Sequence, residues 1–239
     1  MTILITGVTG ALGSELKNIF PESISPSHKD FDICNFDSVH DFFENHEIDT
    51  VIHTAALTTV RGCEENKSQA MKINVQGTKN LINNFKNSNP KGKFIYISTA
   101  CVFDGHSSMY DENSIPYPEN FYSLTKLLGE YIVNKFENSL IIRTNFIARK
   151  KWPYPKAFTD RFGTYLFSNQ VAFGIKDVLE ENFQGIIHIV GDKKISMFEL
   201  AKLTTPDIQA MTMNDYSGPP LTIDMSLDSK KWKKYKIQA

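Results

Sequence analysis

Two periods alternate along this chain: short apolar runs, and longer stretches with apolar residues three or four apart. Thr2–Thr6, Thr50–His53, Lys93–Ser98, Leu140–Thr144 and Gly185–Val190 are runs of the first kind and predict buried parallel strands, with another expected near Ser23–Ser27. Leu12–Phe20, Asp37–Asn45 (capped near Asp37 or Ser38), Ala70–Phe85, Phe121–Phe136 and Val171–Asn182 read as helices. Ser196, with Glu199 three residues on, has the spacing of a capping box opening one more. In the fourth of these, Phe121, Leu124, Leu127, Leu128, Tyr131, Ile132 and Phe136 form one stripe that predicts the buried face. Lys230–Lys236 is basic and aromatic and reads as a solvated surface helix rather than a binding patch. Strands alternating with helices predict an α/β fold, a Rossmann-type doubly wound parallel sheet.

The chemistry-bearing residues fall where such a sheet puts them. Gly7-x-x-Gly10-x-x-Gly13 lies between the first strand and the first helix, so Gly7, Thr9, Gly10, Ala11, Leu12 and Gly13 are a candidate pyrophosphate cradle at a helix N-terminus. The end of the second strand distinguishes the cofactors, because an acid there binds a ribose 2′-hydroxyl. This chain has Ser27, His28 and Lys29, which suit a 2′-phosphate and favour NADPH; NADH is the alternative if Asp30 takes the acid's place. Asp32-Ile33 either holds the adenine edge or caps a turn. Thr54-Ala55-Ala56 leave room for a cofactor at a strand's carboxyl end, and Ser98 and Thr99 should project into the same crevice. Asn74 sits inside an apolar stripe, where an unpaired amide costs a few kcal/mol, so it should bond something specific near the site. His53 reads as a packed or hydrogen-bonded core residue, and residues 104–120 as a turn-rich loop near the substrate.

Tyr122 and Lys126 stand one helical turn apart on one face. An ammonium about 6 Å from a phenol at an effective dielectric near 20 is worth about 3 kcal/mol, which lowers the phenol pKa by about two. That would bring Tyr122 toward the range useful for proton transfer at neutral pH. Composition adds exclusions. With 239 residues, 41% hydrophobic and 22% charged, the chain suits one large domain or a domain with a small appendage. A net charge of −1 and pI near 6.6 give no global field toward nucleic acid or anionic membrane. No apolar run approaches the roughly 20 residues of a membrane span. Cys34, Cys63 and Cys101 show no metal spacing and fit a reducing cytoplasm, and the six histidines show no ligand pairing, so no structural metal is expected.

Taken together, the glycine turn, Thr54-Ala55-Ala56, Asn74-Val75-x-Gly77-Thr78, Ser98-Thr99 and Tyr122-x-x-x-Lys126 resemble the extended short-chain dehydrogenase/reductases. Ser98 through Gly105, Tyr110-x-Glu112, Pro116, Tyr122-x-x-Thr125-Lys126-Leu127-x-Gly129-Glu130 and Arg143-Thr144 are similar to the dTDP-4-dehydrorhamnose reductase-like, nucleotide-sugar branch. The resemblance covers residues 1–145 well and 165–205 loosely. It implies an NADP-binding domain over 1–145, completed by part of 165–205, and a small C-terminal substrate lobe from 146–165 and 205–239. It also implies NADPH-dependent reduction of a sugar C4 ketone. Tyr122 would be the proton donor, Thr99 would bond the reacting oxygen, and Lys126 would bind the nicotinamide ribose and lower the tyrosine pKa. Asn74 would keep the relay positioned, and a homodimer would form through the Asn74 and Tyr122 helices.

Ala100 and Cys101 depart from the branch's S-T-D-Y pattern, and Arg61-Gly62 from its acid-basic pair. Cys101 matches a cysteine that GDP-fucose synthases, and the plant 3,5-epimerase/4-reductases, use in epimerisation; the alternative is a small buried thiol without chemistry. Lys156 and Asp160 lie where a second acid/base would be needed. A non-catalytic NADP-binding subunit, like the regulatory partner of methionine adenosyltransferase, is a competing reading, and a 4,6-dehydratase is disfavoured by Ala100 and Cys101. Beyond Thr144 the chain is short for the branch.

Overall fold

The structure, a computed structural model, describes residues 1–238. Five parallel strands form the central sheet in the order β1 (Ile3–Thr6), β2 (Thr50–His53), β3 (Lys93–Thr99), β4 (Ser139–Thr144) and β9 (Gly185–Ile189). Alternate residues of each strand face opposite layers, as the two-residue side-chain period requires. Ile3, Ile5, Ile52, Ile95, Ile97, Leu140 and Ile142 pack under α1 (Ala11–Ile19) and α7 (Ser168–Glu180). Leu4, Val51, Phe94, Tyr96 and Ile141 pack under α2 (Phe36–Asn45), α5 (Thr78–Ser88) and α6 (Phe121–Val133). Each fully buried leucine, isoleucine or phenylalanine contributes about 1.5–3 kcal/mol to holding the layers together. The fold is therefore the doubly wound α/β sheet that the alternation predicts.

Several expectations are corrected. The strand near Ser23–Ser27 reduces to one bridge, Leu4 to Ile24, because Ser23 and Ser25 bond each other and Pro26 has no N–H to continue a ladder. Asn35, rather than Asp37 or Ser38, caps α2; its Oδ1 accepts the Asp37 and Ser38 N–H groups. The helix over Ala70–Phe85 is continuous but not α-helical throughout: after α3 (Val60–Glu65), α4 (Lys67–Ala70) runs through a π-helical segment, Met71–Gly77, into α5. The tail over Lys230–Lys236 is not helical. Tyr235 donates its N–H to the Val190 carbonyl, and Trp232 lies edge-on to Phe183, so the aromatic rings pack inward while Lys233 reaches Asp177. The capping box at Ser196 is present, opening α8 (Met197–Lys202).

The remaining strands are short. β5 (Phe146–Ile147) pairs with β8 (Leu166–Phe167), and β6 (Lys156–Phe158) with β11 (Gln209–Met211). β7 (Phe162–Gly163) lies between β10 (Ile195–Ser196) and β12 (Asp224–Met225). These pairs cover the carboxyl end of β4 and the turn after β3, where Ala100, Cys101 and Phe103 share a core with Tyr165 and Met225.

Helix α6 follows its apolar pattern only in part: Leu127, Ile132 and Phe136 pack against the cores. Its buried residues are Ser123, Thr125, Lys126, Gly129, Glu130 and Val133, whereas Leu124 and Tyr131 are exposed. The inward polar face is held by pairing. Glu130 receives Arg143 Nε (3.0 Å) and Nη2 (2.7 Å) and the Ser98 hydroxyl (2.5 Å), and Arg143 lies over the Phe103 ring at 5.1 Å. Removing one partner from such a buried pair leaves the other charge uncompensated. Glu130→Ala is expected to cost about 3–5 kcal/mol, read from the urea midpoint; an unchanged midpoint would show that the pair does not anchor α6.

Candidate active site

The turn after β1 is shaped by close backbone approach. Gly7 has φ +76°, and a Cβ there would stand 2.7 Å from the Ala55 nitrogen. A Cβ on Gly13 would come within 2.2 Å of the Gly7 carbonyl oxygen. Helix α1 can therefore run tight against the turn, with Thr9, Gly10 and Ala11 exposed at its mouth and no side chain capping its first N–H groups. Leu12 points into the core instead. Open first-turn N–H groups, a positive helix end and no Cβ in the way are the conditions for a pyrophosphate. Thr54, Ala55 and Ala56 form the facing wall, and the Thr54 hydroxyl donates to the Thr6 carbonyl (2.7 Å).

Beyond the Ile24 bridge, Ser27 is half-buried and His28 and Lys29 are exposed. Ser27 donates to Asp30 (2.6 Å), so the hydroxyl and the carboxylate stand at one place. Asp32 caps a turn, accepting the Cys34 N–H (2.9 Å), with His28 3.7 Å away. Ile33 is buried against Gly77, and its carbonyl accepts from Asn80.

Across the crevice, the carboxyl end of β3 and the first turn of α6 bring Thr99, Cys101, Tyr122 and Lys126 together. Asn120 caps α6, accepting the Ser123 N–H (3.0 Å), which fixes the start of the turn carrying Tyr122. Burial raises the Tyr122 phenol well above its ordinary range; nearby Cys101 adds to this, and a hydrogen bond with the Thr99 hydroxyl partly offsets it. Burial lowers Lys126 to about 7, with Glu130 pulling the other way, and its ammonium lies 4.0 Å from the centre of the Tyr96 ring. This corrects the expectation that the lysine lowers the tyrosine: desolvation sets the direction of the Tyr122 shift, and Lys126 is itself only partly charged at neutral pH. A phenol held protonated is in the state required of a proton donor.

Ser98 and Thr99 diverge. The Ser98 side chain is committed to Glu130 and does not project into the crevice, whereas Thr99 does, and also accepts the Cys101 N–H (3.1 Å). Cys101 is buried, its thiol donating to the Met225 thioether (3.3 Å). Neither residue suggested as its acid/base partner is bonded to it: Asp160 accepts the Met213 N–H, and Lys156 stands exposed on the β6–β11 pair. Asn74 bonds specifically, as its buried position requires. Its Oδ1 accepts the Leu57 N–H (2.7 Å), and its Nδ2 donates to the Leu57 carbonyl (3.0 Å) and to Thr125 (2.9 Å). His53 is a hydrogen-bonded core residue lowered to about 3, chiefly by burial. An open cleft of about 480 Å³ lined by Lys151, Trp152, Tyr154 and Ile208 shares none of the crevice residues. Among the described residues, no group of His, Cys, Asp or Glu is arranged to hold a metal ion, and no helix is long and apolar enough to cross a membrane.

Residues 1–159 match the family described as RmlD substrate binding domain. The chain belongs to that family, a branch of the extended short-chain dehydrogenase/reductases. Among solved structures, a dTDP-4-dehydrorhamnose reductase from Clostridium acetobutylicum superposes with a TM-score of 0.87 at 28% identity, covering 95% of this chain and 90% of that one. A dTDP-4-dehydrorhamnose reductase from Bacillus anthracis, solved in complex with NADP, has the same TM-score at 22% identity over 96% and 90%, a likeness that speaks for the fold alone. Methionine adenosyltransferase 2 subunit beta of Rattus norvegicus is 28% identical over 237 residues, covering 83% of this chain and 70% of that protein.

Tyr96, the Ser98–Glu130 pair and Tyr165 also border this RmlD-family crevice, though no sequence motif marks Tyr96, Tyr165 or that pairing. Glu130, one turn after Lys126 on the same face, was the available signal. The shift of Lys126 from 10.5 to about 7 has a consequence for stability. Between those values the unfolded chain holds a proton that the native state does not, so stability rises with pH through that window. In Lys126→Met, urea midpoints between about pH 7 and 9.5 should lose that rise; an unchanged slope would place the ammonium in water.

Proposed function

We propose that the protein reduces the C4 ketone of a nucleotide-activated 4-keto-6-deoxyhexose, dTDP- or UDP-linked, with NADPH. The observation that carries this reading is the gathering of Thr99, Cys101 and the Tyr122 phenol at the carboxyl end of β3, with Lys126 buried one turn on; the glycine turn with its uncapped helix end supports it. NADPH bound against that turn supplies the hydride. Gly7, Thr9, Gly10, Ala11 and Gly13 would hold its pyrophosphate, Ser27, His28 and Lys29 would receive the 2′-phosphate, and Thr54, Ala55 and Ala56 would leave room for it at the end of β2. Tyr122 gives its proton to the developing alkoxide, and Thr99 hydrogen-bonds the same oxygen. A placed donor gains most where charge develops, commonly a few kcal/mol each. Lys126 binds the ribose hydroxyls and gains charge as they approach. Residues 1–145, with part of 165–205, serve the cofactor, and 146–165 with 205–239 serve the sugar. Exposed Leu124 and Tyr131 on α6 favour a second copy docking there.

A 3,5-epimerase activity would rest on Cys101, whose thiol flanks Tyr122 and could exchange the acidic protons beside the 4-keto group. In deuterated solvent, Cys101→Ser should then lose deuterium incorporation at C3 and C5; retained incorporation would end the idea. The similarity to methionine adenosyltransferase 2 subunit beta favours a second reading, an NADP-binding regulatory subunit without turnover. Incubation with NADPH and a dTDP- or UDP-4-keto-6-deoxyhexose separates the two. The reductase reading expects loss of the reduced cofactor's absorbance, abolished in Tyr122→Phe while NADPH binding stays near normal. Wild-type turnover in that variant would refute the assigned role.

A further inference from the structure

A continuous buried chain of hydrogen bonds runs from the end of β1 to the catalytic turn of α6. The Thr6 hydroxyl meets His53 Nδ1 (2.7 Å), and His53 Nε2 meets the Thr78 hydroxyl (3.0 Å). Thr78 donates to the Asn74 carbonyl (2.8 Å), the Asn74 amide donates to Thr125 Oγ1 (2.9 Å), and Thr125 donates to the Tyr122 carbonyl (2.7 Å). Each direction is fixed by its neighbour. A hydroxyl has one proton, so Thr78, which gives its own to Asn74, must accept from His53 Nε2; His53 Nδ1 must then accept from Thr6. Thr6, His53, Asn74, Thr78 and Thr125 are all buried, so no water competes for these partners.

The geometry accounts for the π-helical segment at Met71–Gly77. The π-helical turn carries Asn74, whose side chain clamps both backbone groups of Leu57 on the β2 loop and still reaches Thr125 on α6. π turns frequently mark functional positions because they re-aim one side chain at the cost of regular bonding. Here the re-aimed side chain joins the cofactor wall to the helix that bears the proton donor.

We propose that Thr125 is a positioning residue for the reduction: as the last link from the glycine-turn strand, it sets the height and rotation of the first turn of α6 so that Tyr122 meets Thr99. The proposal rests on the reductase reading for its kinetic consequence, though not for its geometry. A misplacement of about 1 Å can cost about a hundredfold in rate. Val replaces Thr at nearly constant volume and removes both hydroxyl bonds, whereas Ser keeps them.

With NADPH and a dTDP-4-keto-6-deoxyhexose, Thr125→Val is expected to lower kcat per NADPH-binding site at least tenfold, with KM changed less than threefold. Thr125→Ser should recover most of the loss. A kcat within twofold of wild type, a change confined to KM, or no rescue by Ser would overturn the proposal. Should Thr125→Val not fold, Thr78→Val cuts the same chain two links earlier, before Asn74, and should give the same split; a wild-type kcat there overturns it equally. A second readout needs no turnover. In protein labelled with 13C-tyrosine, the Tyr122 Cζ resonance should move in Thr125→Val and stay in Thr125→Ser, and an unmoved resonance refutes the positioning role even if the reductase reading has failed on its own.

Discussion

A helix that turns a lysine and a glutamate inward sets the terms for the rest of this molecule. Burying either charge alone costs several kcal/mol, so α6 can pack on the sheet only if Glu130 finds Arg143 and Ser98. Lys126 remains only partly charged at neutral pH over the Tyr96 ring. That arrangement seats Tyr122 at the carboxyl end of β3, beside Thr99. The apolar residues of α6 that a simple two-layer helix would bury, Leu124 and Tyr131, are left on the outside.

The opposite wall obeys a different constraint, that of space. Gly7 and Gly13 leave no room for a side chain between the turn, α1 and the β2 loop. Asn74 fixes that loop, and through Thr125 it fixes the first turn of α6 as well. Glycine turn, loop and Tyr122 therefore form one connected unit, as the proposed reduction, in which cofactor and carbonyl must meet at fixed separation, would require.

Much of this was legible in the sequence because it lies in periodic runs or short motifs. The five central strands, the capping box at Ser196, the buried amide of Asn74 and the core role of His53 follow from pattern and from the cost of unpaired polar groups. What escaped depends on contacts distant in the chain. Hydropathy alone placed Leu127, Ile132 and Phe136 of α6 correctly against the core but missed its inward polar residues, because Arg143 and Ser98, which make Glu130 acceptable there, come from other strands. The Ser23–Ser27 strand failed through its own serine bonds and Pro26, and the tail failed as a helix because Trp232 and Tyr235 had docking places no local pattern records. The simple two-charge estimate for Tyr122 and Lys126 omitted desolvation, which burial of both groups makes dominant.

The central claim is that a reduced nicotinamide cofactor lies between the Gly7–Gly13 turn and Tyr122. Titration of the purified protein into NADPH, followed by the cofactor's fluorescence, tests it most directly. The account predicts a saturable change with one site per chain, reversed by NADP and lost in Gly13→Ala, whose methyl would strike the Gly7 carbonyl. No saturable change, or a change that survives Gly13→Ala intact, would contradict it.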